Sequence, residues 1–472
     1  MLKRTAMIVA FLSVLLAFPA FFVPLGLSPE GDAVDYRIPL VQWIVRHHAF
    51  PNWPWAFVDD YPSLGELLMA ALYSIHPNLV RLVPVFSFVG LGVVGGLLAR
   101  HLGKSVAEKK SSRFQDDYQP DTLFWLGFVW TVSLRPLTLQ ANLLMVDNLA
   151  SFFLLATVYL LLRRKIATAG YFAAGALATR YTTWATIAVL ALAIPFLVRK
   201  KLRLRKFILF CFLAGFGAFP FMIRNFYLNG HPLYPLNDPE ISKAFMAYGR
   251  GRDFLSFLIF PYDLLVTNTF IKGIYDYTVG KLFYIQLVLF GLALGKNWSM
   301  GKLGRLNNPP KGILVIALLH LLIWFFFGSQ QLRFLVPSLV LVLIWLLVYL
   351  FQRENKLGVG LVTALAIFSA ISIQKDSLQA LFTGNLGTFE ADRLQVERCK
   401  PLVPKEWILA VTAREGGLGF WNRDFVYLPP HPYRPKDAVV PEADFLLGNK
   451  PQGIFQEPFP KENPCGFKVV GK

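Results

Sequence analysis

Apolar runs about as long as a bilayer is thick recur along this chain, and short clusters of Lys and Arg separate them. A helix needs about twenty apolar residues to cross the hydrocarbon core, and only helices and closed barrels satisfy their backbone groups there. The spacing predicts eleven spans: Ala6 to Leu25, Leu79 to Ala99, Leu123 to Leu139, Asp147 to Leu162, Ile166 to Ala178, Thr183 to Val198, Phe207 to Ile223, Leu282 to Leu294, Gly312 to Phe327, Phe334 to Phe351 and Leu357 to Ile373. The fold class expected is an all-α polytopic membrane protein. Shorter helices are expected at Leu64 to Ile75 and along Ile38, Val41, Ile44 and Val45, the latter lying on the membrane surface.

The basic clusters orient these spans. Arg100, Lys104, Lys109, Lys110 and Arg113 follow the second span, Arg163 to Lys165 the fourth, and Arg199 to Lys206 the sixth. Cytoplasmic loops carry such an excess, so Lys3 and Arg4 place the N-terminus in the cytoplasm. The N-terminal run is too long for a signal peptide and lacks a small-x-small cleavage site before Glu30, so it reads as an uncleaved helix. A net charge of +18 raises nucleic-acid binding as a function, but the cations sit between apolar runs rather than on a soluble face. Nucleic acid is therefore not an expected partner. An odd number of spans puts residues after Gln374 outside the cytoplasm. That tail is polar and contains strand-like runs at Trp407 to Val411, Phe425 to Leu428 and Ala443 to Leu447. The division expected is residues 1–373, a membrane domain with external loops at 26–63 and 224–280, and residues 374–472, a small α/β extracytoplasmic domain. Cys399 and Cys465 both lie in that tail, in a compartment where thiols oxidise. Cys211 falls inside a span.

The first external loop concentrates carboxylates: Asp32, Asp35, Asp59, Asp60 and Glu66 follow Glu30. An unpaired carboxylate near lipid is costly, so this grouping marks a candidate site. Asp32 and Asp35 would share one face at helical spacing, either as a base with its neighbour or as solvated loop residues. Asp59 and Asp60 precede Tyr61-Pro62 and suit sugar hydroxyls, a metal ion or a helix cap. Glu66 lies among Leu64, Leu67, Leu68 and Met69, so it faces a cavity or is paired.

The runs D-A-V-D-Y-R-I-P and V-D-D-Y-P-S-L-G-E-L-L resemble the first external loop of GT-C glycosyltransferases. The likeness is to family 39, ArnT-like enzymes that take a sugar from a polyprenyl phosphate. Asp32 stands where that family has its catalytic base. Tyr36, Pro62 and Glu66 match other recurrent positions, whereas Arg37 stands where related sequences often have His. Segments resembling the family continue at A-T-R-Y-T-T, with Arg180 and Tyr181, and at R-N-F-Y-L-N-G-H-P-L-Y-P, with Arg224, Asn225 and Tyr234. S-Q-Q-L-R-F-L-V-P, with Arg333, is another. Asp147 in M-V-D-N-L-A also matches, and would pair with an arginine or cap its helix.

Arg135, Arg180, Arg224 and Arg333 each fall at the external end of a different expected span, the side where cations are disfavoured. Four together suggest an anionic ligand, and a lipid-linked phosphate suits the planar fork of Arg; headgroup snorkelling is the plainer alternative. His47 and His48 belong with Arg46 on the surface helix. No cluster has zinc spacing, and no Walker A or dinucleotide motif is present. No cofactor is implied with certainty, and a divalent metal is left open.

Together these features imply an enzyme, a hexosyl- or pentosyltransferase of the bacterial inner membrane. Its partners would be the bilayer, a polyprenyl-phosphate-linked sugar and a lipid, glycan or protein acceptor. Rival readings are a transporter or flippase of lipid-linked sugars, a non-catalytic export subunit, and a surface-polysaccharide polymerase or ligase. A transporter would call for repeat symmetry that the chain does not display.

Overall fold

The structure is a computed structural model that describes residues 2–15, 17, 37–50, 62–107, 120–142, 144–197, 203–234, 236–237, 251–266, 285, 288, 291–292, 309–328, 330–352, 356–382 and 394–405, and five strands between 409 and 469. Within those residues it is mostly helical. Pro77–Ser105, Leu204–Asn229 and Leu332–Phe351 are long and apolar enough to cross a membrane, and shorter apolar helices accompany them.

In chain order the helices are α1 (Leu2–Leu15), α2 (Ile38–His47), α3 (Leu64–Tyr73), α4 (Leu82–Ala107), α5 (Pro120–Val132), α6 (Arg135–Asn142), α7 (Asp147–Leu162), α8 (Ile166–Thr179), α9 (Trp184–Leu197) and α10 (Arg203–Asn229). Then follow α11 (Phe254–Val266), α12 (Pro309–Phe327), α13 (Val336–Gln352) and α14 (Lys356–Phe382). Helix α7 begins and ends where the apolar run predicts. The run expected to cross as one helix from Leu123 to Leu139 is broken instead. Ser133 donates its hydroxyl to Trp130 O at 2.8 Å, and Thr138 donates to Val132 O at 2.8 Å. These bonds satisfy carbonyls at the end of α5, and Pro136, which has no N–H to offer, fits the first turn of α6. A second difference is α11, which lies inside the stretch expected to be an external loop. Its run FLSFLIF is apolar, and Asp253 before it accepts from Ser256 N at 2.8 Å and Ser256 Oγ at 2.7 Å. That capping starts the helix. Most of the expected span from Leu282 to Leu294 lies outside the described residues.

The chain forms two compact units. The first comprises Met1–Phe18, Pro84–Phe221 and Leu236–Ser377. Here α7 and α8 form an antiparallel hairpin that turns through Arg164 in the left-handed region (φ 56°). Helices α12 and α13 form another hairpin, and α13 is buried along most of its length, from Leu339 to Phe351. Helix α5 meets α4 through small residues: a Cβ on Gly127 would lie 2.6 Å from Ala99 Cβ, so only glycine permits that approach.

The second unit comprises Pro19–Val83, Met222–Pro235 and Leu378–Lys472. Helix α2 buries Ile38, Leu40, Val41 and Ile44 and packs on α3. It ends at His48 in the left-handed region (φ 52°), which donates its N–H to Ile44 O. The tail holds a mixed sheet of β1 (Leu409–Thr412), β2 (Phe425–Leu428), β3 (Phe445–Leu447), β4 (Gln456–Phe459) and β5 (Gly466–Val469), in spatial order β2-β1-β3-β5-β4. Strand β1 pairs parallel with β2 and β3, with Leu409 opposite Phe425 and Phe445; β5 runs antiparallel to β3 and β4. Strands β1 to β3 overlap the three strand-like runs of the sequence, whereas β4 and β5 were not expected. Cys399, on a helical stretch at 394–399, is buried and disulfide-bonded, and Cys211 is free. Cys465 lies outside the described residues.

Candidate functional site

Among the described residues of the first unit, a buried cluster of charge is built where α7 starts, α8 ends and the short 3-10 turn Leu332–Leu335 enters α13. Helix α8 stops because Arg180 adopts an extended backbone (φ −157°, ψ 138°). The carbonyls this exposes are taken by side chains: Thr183 Oγ1 donates to Ala176 O at 2.9 Å, and Trp184 Nε1 donates to Leu177 O at 2.9 Å. This side-chain cap fixes the direction of Arg180. Its Nε donates to Asp147 Oδ1 at 3.0 Å. Tyr181 is buried beside it, its ring edge-on to Trp184 at 4.7 Å.

Arg333 reaches the same carboxylate from another direction. Its Nε lies 3.8 Å from Asp147 Oδ2 and donates to Gln331 Oε1 at 2.9 Å. Its Nη1 lies 3.9 Å from Met145 Sδ, and its guanidinium sits 5.2 Å from the Phe334 ring. The turn that carries it is pinned. Trp324 Nε1 donates to Gln331 O at 2.9 Å. His320 bridges Phe334 O (Nε2, 3.1 Å) and Thr186 Oγ1 (Nδ1, 2.7 Å). A carbonyl only accepts, so Nε2 carries a proton, and in a neutral ring Nδ1 accepts from the Thr186 hydroxyl. One histidine thus ties α9, α12 and the turn of Arg333 together.

Asp147 stands in the first turn of α7, where the exposed N–H groups favour a carboxylate. It is 3% exposed, and its charge with those of Arg180 and Arg333 sums to +1. Of the two sequence readings of Asp147, pairing is observed; the capping position before the helix is Val146. Arg135 opens α6, which packs on α7 and on the turn of Arg333.

In the second unit, Arg37 Nε donates to Glu66 Oε1 at 3.2 Å, and the two side chains are 1% and 3% exposed. Of the two sequence readings of Glu66, pairing is observed. Gln42 Nε2 donates to Tyr73 O–H at 3.4 Å, a second link between α2 and α3. Arg224 lies over the Phe50 ring at 5.4 Å. Asn225 Nδ2 donates to the backbone carbonyl of Tyr234 at 2.6 Å, so these two residues meet through the main chain. Gly230 between them has φ 70° and closes α10, its N–H bonding Phe226 O at 3.0 Å. Asp32, Asp35, Asp59 and Asp60 lie outside the described residues. Among the described residues no group of three or more His, Cys, Asp or Glu is placed to hold a metal ion.

Three participants were not singled out from sequence: His320, Gln331 and Asn148, whose Nδ2 donates to Leu137 O at 2.8 Å. A polar side chain embedded in an apolar run was the available signal for each.

No protein-family model and no curated protein sequence matches the chain. Its fold is similar to the crystal structure of ArnT from Cupriavidus metallidurans bound to undecaprenyl phosphate, with 11% identity, a TM-score of 0.49, and coverage of 90% of this chain and 85% of that chain. It is also similar to ArnT from the same organism in the apo state, with 9% identity, a TM-score of 0.47, and coverage of 89% and 85%.

Proposed function

We propose that this protein is a membrane glycosyltransferase that moves a sugar from a polyprenyl-phosphate donor to a lipid, glycan or protein acceptor. The observation that carries the reading is the convergence of Arg180 and Arg333 on one buried carboxylate. Buried cations in an apolar protein mark a ligand, and paired guanidiniums suit phosphate oxygens. Arg135, Arg224, Tyr181, Asn225, Tyr234, Asp59 and Asp60 remain proposed contributors to substrate binding. For Glu66 the proposed role is to hold Arg37, close in sequence to the acidic loop.

In this reading Asp32 accepts the acceptor's proton, with Asp35 assisting, as the acceptor attacks the anomeric carbon. The bond from that carbon to the phosphate oxygen breaks, and the configuration inverts. The leaving polyprenyl phosphate goes from one negative charge toward two. Cations at the phosphate therefore bind the transition state more strongly than the ground state. The proposed setting is a bacterial inner membrane crossed eleven times. Residues 374–472 form an extracytoplasmic domain, consistent with the oxidised state of Cys399.

The test is transfer of label from a radiolabelled polyprenyl-phosphate sugar by purified full-length protein. Label leaving the lipid supports the reading; label that stays on the lipid in all assays excludes the transferase and favours a transporter. Asp32→Asn removes basicity with little change of shape, so transfer should fall at least a thousandfold while folding is kept. Equal rates for this variant and the wild type would reassign the base. Membrane-impermeant maleimide on intact cells checks the topology, because Cys399 should label only after reduction and without breaking the membrane.

A further inference from the structure

Helix α6 meets the first turn of α7 along a seam that holds polar groups without a partner among the described residues. Asn148 Nδ2 donates to Leu137 O at 2.8 Å, which fixes its amide so that Oδ1 points away as an acceptor. That Oδ1 has no hydrogen-bond partner among the described residues. Gln140 lies three positions beyond Leu137, a neighbour on the same helix face. Its Nε2 and Oε1 are likewise without a partner among the described residues. Gln140 and Asn148 are both 0% exposed. A buried amide that satisfies neither donor nor acceptor is costly, and in a native protein it needs a reason.

Asn148 directly follows Asp147, the residue that gathers Arg180 and Arg333. Helix α6 also packs on the turn carrying Arg333. We propose that Gln140 and Asn148 form the sugar-reading contact of this site, receiving hydroxyls of the lipid-linked donor; this rests on the phosphate assignment made above. The chemistry selects the ligand class. A carboxylate or a second phosphate would meet the Asn148 acceptor unfavourably, whereas a hydroxyl both donates and accepts. The sugar is joined directly to the phosphate, and the two amides sit on elements packed against those that carry Arg180 and Arg333. The three atoms are sealed from solvent, so in this proposal the donor reaches them only if α6 gives way. That helix is only eight residues long and is bounded by the break at Ser133–Leu134 and the turn at Leu144.

The experiment compares wild type with Gln140→Met, a near-isostere without polar atoms, as full-length protein in detergent. Each is melted alone, with polyprenyl phosphate, and with polyprenyl-phosphate mannose, glucose or galactose. A residue that serves only the fold would lower the ligand-free melting temperature when changed. Here Gln140→Met should melt at or above the wild type, because an unmet buried amide is gone. Both proteins should be raised equally by polyprenyl phosphate. At least one sugar-bearing lipid should raise the wild type further, and Gln140→Met should lose that increment, with kcat/KM for transfer down tenfold or more. Gln140→Asn should recover part of it. The inference is overturned if Gln140→Met melts several degrees lower, if it keeps the increment, or if no sugar adds an increment in the wild type. Absence of any shift with polyprenyl phosphate in the wild type would instead remove the phosphate assignment, and the inference with it.

Discussion

Two buried carboxylates, each gripped by arginine, differ in their arithmetic. Glu66 in the second unit meets Arg37, and that pair sums to zero. Asp147 in the first unit meets Arg180 and Arg333, and that cluster sums to +1. Both carboxylates are almost fully buried, so desolvation is a similar cost for each. The difference is in what remains. A balanced pair uses its charge on itself and locks two helices together. A carboxylate shared by two arginines instead gathers two guanidiniums from different elements at one place, which a one-to-one pair between helices does not do.

The largest expected effect tests the balanced pair. Arg37→Met or Glu66→Leu alone leaves a buried charge without its counter-ion and should cost ~3–5 kcal/mol of stability. The double variant removes both charges and should return to within about 1 kcal/mol of wild type, or exceed it. Thermal unfolding in detergent of the two singles and the double closes the cycle. Additive losses would mean that the pair is not the unit the contact suggests.

The unbalanced cluster should respond less in stability and more in ligand binding. Either arginine can be removed while Asp147 keeps the other. Arg180 bonds at 3.0 Å and Arg333 stands at 3.8 Å, so Arg180→Met should cost about 1.5–3 kcal/mol and Arg333→Met less. Both should weaken polyprenyl phosphate binding tenfold or more in a thermal-shift or radioligand titration. Lys at either position should recover only part, because it lacks the bidentate fork. If neither titration moves, Arg180 and Arg333 serve Asp147 alone, and the contrast with Glu66 disappears.

How far the sequence reaches follows the same division. Apolar runs located α7, α8, α12 and α13 to within a few residues, because that signal is local and strong. Asp147, Arg180 and Arg333 were named from their place at span ends, but their meeting joins residues 33 and 186 positions apart, which no local pattern encodes. Arg224 has the same kind of position and stacks on Phe50 instead. The break between α5 and α6 rests on two hydroxyls reaching back to carbonyls, a choice invisible in hydropathy. His320, Gln140 and Asn148 look like ordinary polar interruptions of apolar runs. Only packing shows that the first is satisfied twice and that the other two hold unmet atoms.

The smallest expected effect comes from a carboxylate with no cation in the comparison at all. Asp253 caps α11 in open solvent, and the Ser256 amide and hydroxyl hold its carboxyl below its ordinary value of 3.8. A folded-state value below the unfolded one means that folding prefers the ionised form. That preference contributes in full above about pH 4 and is lost as pH falls through the folded value. Asp253→Asn keeps a capping oxygen but cannot ionise, so it should melt slightly below wild type at pH 7. The gap should narrow steadily as the pH is lowered beneath 3.8. Melting curves of both proteins between pH 7 and pH 3 measure it. A gap independent of pH would mean that the cap acts through shape alone. A gap as large as that of Glu66→Leu would mean that an exposed capping carboxylate contributes as much as a buried ion pair, contrary to the ordering on which the comparison rests.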